Sequence, residues 1–133
     1  MQSNDRSISS TQLWAGRIMS GLPALFLLVD GIMKLFKPAV VVQATVELGY
    51  PESVIVGLGV TLLTSTLLYL ISRTSVLGAI LLTGYLGGAV ATHVRVGGPI
   101  FNIIFAVIVG TLLWGGLWLR DGQLREMLPL RAL

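Results

Sequence analysis

SVIVGLGVTLLTSTLLYLIS, residues 53–72, runs from one serine to the other without a charged side chain. At about 1.5 Å rise per residue, a helix of this length reaches roughly 30 Å, the thickness of a bilayer's hydrocarbon core. Backbone amides in hydrocarbon have no water to bond, so such a stretch is read as helical. The same signal recurs on either side. Residues 74–92 and 96–119 are likewise free of charge, whereas the first apolar run holds Arg17, Asp30 and Lys34. The spans are therefore expected at about 13–36, 53–72, 74–93 and 99–119.

Composition agrees with this reading. The chain of 133 residues is 54% hydrophobic and 11% charged, with mean hydropathy +0.86, against roughly 25% charged residues in a soluble domain. A net charge of +3 and a pI near 9.8 raise the question of nucleic acid, but the nine Lys and Arg residues are scattered among apolar segments and form no basic stripe. Nucleic acid is excluded as a partner, and membrane lipid is expected. With no cysteine and one histidine, the chain can build neither a thiolate metal site nor a bis-histidine haem. The site residues include no metal ligand set, any cofactor stays unknown, and electron transfer would need a bound molecule or a partner subunit. The uncharged part of the first span, residues 18–29, is short enough for a signal peptide, yet no small-x-small cleavage site follows it. It is read as a retained span.

Between the first two spans, residues 38–48 are expected to form a short surface helix. Pro38 suits a first turn, Gly49 a left-handed C-terminal cap, and Pro51 stops continuation. Its valines make it too apolar to float in water, so it is read as a lid over one end of the bundle. Arg73 and the Gly97-Gly98-Pro99 turn leave the remaining connections short, which forces antiparallel neighbours. The fold class is all-α: a polytopic membrane protein, an antiparallel four-transmembrane-helix bundle forming one membrane domain over residues 1–133.

Orientation follows from basic residues, which cytoplasmic flanks retain. Arg6, Arg17, Arg73, Arg120, Arg125 and Arg131 lie on one side, and Lys34, Lys37 and Arg95 on the other. Both termini are expected in the cytoplasm of a bacterial cell, with the tail 121–133 on the inner membrane surface through Leu124, Met127 and Leu128. Trp14, Tyr69, Trp114 and Trp118 fall at that inner boundary, where amphipathic rings are favoured. Helix association in lipid depends on close packing. The ladders Gly84-Gly88-Thr92 and Thr83-Gly87-Ala91, with Gly57-Thr61-Ser65 opposite, are the expected contacts, inside the monomer or across a homodimer.

The remaining ionisable groups gather at the outer end. Asp30 and Lys34 have the i, i+4 spacing and order of a helical ion pair. His93 and Arg95 close the third span, Asn102 enters the fourth at the same depth, and Glu47 ends the surface helix nearby. A carboxylate at a helix C-terminus needs a cation, here Arg95, Lys34 or His93. Convergent polar groups in an apolar cavity are the usual form of a small-molecule site.

Gly31 and Lys34 closing the first span, Leu48-Gly49-Tyr50-Pro51 before the second, and Ala91-Thr92-His93-Val94-Arg95 closing the third resemble the DoxX-like family of small four-helix membrane proteins, over roughly Gly16 to Arg120. The resemblance implies an integral membrane protein handling quinone or another lipid-soluble ligand. It also implies an oxidoreductase partner, since the family is named after a subunit associated with thiosulfate:quinone oxidoreductase. It carries over no catalytic residue. The leading expectation is an outward-facing pocket for a quinone-like or apolar carbonyl compound, bound by Asp30, Lys34, Glu47, Tyr85, His93, Arg95 and Asn102, with Phe101 as a further wall. A non-redox acid–base enzyme acting on a lipophilic substrate is the alternative, with Asp30 and His93 as its catalytic candidates. A proton-coupled dimeric exporter ranks below both, because Asp30 lies away from the bilayer centre where alternating access would place a shared carboxylate.

Overall fold

The computed structural model describes residues 9–129, so Arg6 and Arg131 and the end of the tail lie outside the described residues. Six helices follow in order: α1 (Ser10–Phe36), α2 (Ala39–Glu47), α3 (Ile55–Leu70), α4 (Ser75–Val96), α5 (Ile100–Arg120) and α6 (Gly122–Met127). Single 3-10 turns at Glu52–Val54 and Ser72–Thr74 lead into α3 and α4. With those turns included, α1, α3, α4 and α5 are each long and apolar enough to cross a membrane.

α1 starts three residues before its expected position because Ser9 accepts a hydrogen bond from the Gln12 amide at 3.1 Å, capping a first turn that hydropathy alone does not mark. Its other end stops at Lys37, whose φ of 55° places it in the left-handed region. Pro38 then acts as N-cap of α2 rather than as a first-turn residue. Past α2, Gly49 has φ +95°, the conformation expected of it. A salt bridge of 3.2 Å between Lys37 and Glu52 joins the two ends of this segment.

The four long helices form a ring in which α1 packs on α3 and α5, and α4 on α3 and α5. Three close approaches set the spacing. A Cβ placed on Gly16 would lie 2.9 Å from the Gly116 carbonyl, one on Gly59 would lie 2.9 Å from the Gly31 carbonyl, and one on Gly78 would run into the Tyr69 backbone. The ladders read from the sequence are not these. Gly57, Gly84, Gly87 and Gly88 have nothing within 4 Å of an added Cβ, so at these glycines the stripes face open space and not another helix of the same chain.

The packed half and the hollow half of the bundle differ for that reason. Tyr69, Leu62, Leu82 and Leu113 are buried to 1% exposure or less toward the end where α1 begins. Along α4, by contrast, no residue between Leu82 and Thr92 is buried. Tyr69, expected as an interfacial anchor, is part of this core: its hydroxyl donates to the Leu113 carbonyl at 2.6 Å and pairs with Ser20 Oγ at 2.9 Å. Arg120 Nε donates to the same serine at 3.2 Å. Burial is affordable because the hydroxyl is satisfied. Trp14 and Trp118 stay at the surface, each under an arginine: Arg17 lies 5.0 Å and Arg125 5.7 Å from the ring centroid. In the tail, Asp121 caps α6 through the Gln123 and Leu124 amides, and Leu124 turns into the core at 5% exposure. Leu22, Phe36, Val60, Ile80 and Ile108 are about half or more exposed on the outer surface, an apolar extent that suits lipid and would be a liability in water.

Candidate functional site: a polar cavity under the α2 roof

Where α4 presents the small residues Gly84, Gly88 and Ala89, the bundle leaves a cavity of about 520 Å³. Gly84, Gly88 and Ala89 form one wall, Phe26 and Leu27 of α1 another, Phe105 and Val109 of α5 a third. α2 closes it with Val41, Ala44, Thr45 and Leu48. Two contacts tether that roof. The Tyr50 and Thr92 hydroxyls are 2.7 Å apart and Thr92 donates to the Gly88 carbonyl at 2.8 Å, so the single proton on each hydroxyl makes Tyr50 the donor to Thr92. Arg95 donates to the Leu48 carbonyl at 3.0 Å, satisfying a C-terminal carbonyl of the roof helix.

Asp30, Lys34, Tyr85, His93 and Asn102 all line the cavity. Lys34 Nζ lies 2.8 Å from Asp30 Oδ2, with side-chain exposures of 15% and 35%. The close approach of Gly59 to α1 places this pair, since an added Cβ on Gly59 would come within 2.9 Å of Lys34 Cβ. Lysine carries three donors, and one is used on Asp30. His93 Nδ1 faces the Ala89 carbonyl at 2.8 Å; a carbonyl only accepts, so a proton sits on Nδ1, and in the neutral form of the ring Nε2 is the acceptor. Tyr85 lies within electrostatic reach of Asp30 and Tyr50. Neither Tyr85 nor Asn102 has a side-chain hydrogen bond among the described residues, and no polar side-chain atom is sealed away without a partner. Their polar groups are therefore open to whatever enters.

Two expected members lie elsewhere. Arg95 is spent on the roof carbonyl, and Glu47 is exposed, accepting from Gln43 Nε2 at 3.2 Å; neither lines the cavity. None of the three cations expected beside Glu47 pairs with it: Lys34 bonds Asp30, Arg95 the Leu48 carbonyl, and His93 Nδ1 the Ala89 carbonyl, while Lys37 reaches Glu52 as the two ends of the α2 segment come together. Phe101 likewise stays outside, stacked on Phe105 at 5.8 Å. Phe105 is the wall, meeting Phe26 edge-on at 5.1 Å across the α1–α5 seam. Sequence reasoning missed Tyr50 as a tether; the available signal was an aromatic hydroxyl placed just before Pro51, between the roof and a span. Among the described residues, no three His, Asp or Glu side chains gather so as to hold a metal ion.

A ring of four membrane-length helices with a cavity between them at one end defines a small polytopic membrane protein. The chain belongs to the DoxX-like family, which matches residues 18–116 and so covers every helix lining the cavity. Comparisons with curated proteins and with solved structures gave no match.

Proposed function

We propose that the cavity under α2 binds a lipid-soluble small molecule with a carbonyl, of the quinone type, and that the protein serves an oxidoreductase as its membrane-embedded binding subunit. One observation carries the reading: Lys34, Tyr85 and Asn102 offer unspent donors beside Nε2 of His93, in a space whose remaining walls are mostly leucine, valine, phenylalanine, alanine and glycine. A carbonyl oxygen accepts from such donors, and a neighbouring hydroxyl, as in a reduced quinol, donates to the imidazole. Donors in a low-dielectric pocket strengthen such bonds, and the hydrocarbon walls accept the ring. Lys34, Lys37 and Arg95 stand at the cavity end, while Arg17, Arg73, Arg120 and Arg125 stand at the other. On the rule that positive charge is kept inside, this supports an opening on the extracytoplasmic face of a bacterial cytoplasmic membrane.

Titration of the purified protein with a short-tailed benzoquinone, followed by quenching of its intrinsic fluorescence, tests this. Saturable binding is expected, weakened up to about tenfold in Asn102→Leu, the worth of one neutral hydrogen bond. Linear, non-saturating quenching in both proteins contradicts it.

A further inference from the structure

A second space lies on the lipid side of the cavity. Between α4 and α5 runs an apolar groove of about 630 Å³ that continues to Leu124 and Leu128 near the other end of the bundle. Along α5 it follows the chain from Ala106 to Trp118, about 18 Å at helical rise. The groove and the cavity share Leu86 and Ala106 in their walls, so these two side chains are the partition between the two spaces at the α4–α5 seam. The partition is thin because glycines flank it: Gly84 and Gly88 on the cavity side and Gly87 on the groove side have nothing within 4 Å of an added Cβ.

Their chemistry differs. In the groove the polar side chains are already satisfied: Thr83 donates to the Ala79 carbonyl and accepts from Trp114 Nε1, and Thr111 donates to the Val107 carbonyl. Nothing in it asks for a polar ligand group, whereas the cavity keeps open donors on Tyr85 and Asn102. Resting on the carbonyl-binding reading of the cavity, we infer that the ligand is a long-tailed amphiphile whose polar head sits under α2 and whose hydrocarbon tail passes the Leu86–Ala106 junction and lies in the α4–α5 groove. A tail of this kind is held by the protein in a fixed path. A head-only compound fills the cavity alone and gains nothing from the groove.

Benzoquinones bearing methyl, hexyl or decyl substituents separate the two parts when titrated into the intact protein in nanodiscs, each affinity corrected for the probe's partition into protein-free discs. The corrected affinity is expected to rise at least about tenfold from methyl to decyl in the wild type, because methylenes move into a protein-lined groove. Gly87→Leu and Val107→Trp fill the groove from α4 and from α5; Val107 is exposed and Gly87 has free space, so both variants are expected to fold. In each, the decyl advantage should fall to near unity with methyl binding unchanged. A decyl advantage that is absent in the wild type, or undiminished in both variants, overturns the tail path while methyl binding upholds the head site. No saturable binding by any of the three probes overturns the head site, and the tail path with it.

Discussion

Gly78 and Gly88 stand on the same helix under opposite constraints. An added methyl at Gly78 meets the Tyr69 backbone, which has no rotamer to yield, whereas at Gly88 it meets nothing within 4 Å. Gly78→Ala is therefore expected to destabilise by about 1–3 kcal/mol, the range for overpacking. Gly88→Leu should melt at or above the wild-type temperature, since leucine gains up to about 1 kcal/mol over glycine in a helix interior, yet lose the ligand. Thermal unfolding in detergent checks both, and equal melting of the two variants would contradict the packing described. The ion pair gives a second residue-scale expectation. Asp30→Asn strands Lys34, the more buried partner, and Lys34→Met strands Asp30, the more exposed one. Asp30→Asn should accordingly lower the melting temperature more, by a cost on the order of 1–3 kcal/mol that lies between exposed and buried pairs. Wild-type melting in both would mean that water solvates the pair. The i, i+4 spacing made Asp30–Lys34 legible in the sequence; which glycines touch was not, because Gly78 and Gly88 differ only in what the neighbouring helix brings opposite them.

At the scale of elements, α2 is the piece with the fewest holds. Its hydrogen-bonded ties to the long helices run through the connection that follows it, Tyr50 to Thr92 and Arg95 to the Leu48 carbonyl, and its ends meet in the exposed Lys37–Glu52 pair, a type worth little. Tyr50→Phe removes one tie, worth about 0.5–1.5 kcal/mol. Hydrogen–deuterium exchange of amides 41–48 should then quicken by about two- to tenfold, while α3 and α5 exchange as before. Unchanged exchange in α2 would show that its apolar contacts alone hold the roof. The existence of α2 was readable from Pro38, Gly49 and Pro51, which punctuate an apolar run too short to cross a bilayer. Its anchoring was not, because backbone carbonyls such as that of Leu48 compete for Arg95 and leave no trace in side-chain patterning. α6 was hidden for a related reason: a single buried Leu124 gives no period to read.

For the molecule as a whole, the four spans were legible because hydrocarbon imposes a length and a polarity that any crossing helix must meet, and residues 53–72 and 96–119 meet both. The cavity was legible only as a depth at which Asp30, Lys34, His93 and Asn102 coincide; its volume depends on the open space beside Gly84 and Gly88. Orientation is open to direct test, since the chain has no cysteine. Ser53→Cys at the cavity end should react with a membrane-impermeant maleimide on intact cells, and Ser72→Cys at the other end only after permeabilisation; the reverse pattern would invert the topology. The most direct test of the binding account is mass spectrometry of lipophilic molecules retained by protein purified in mild detergent. The account expects a carbonyl-bearing amphiphile at about one per chain in the wild type and its loss from Gly88→Leu. The same complement of bulk lipid in both proteins, with no such molecule enriched, would contradict it.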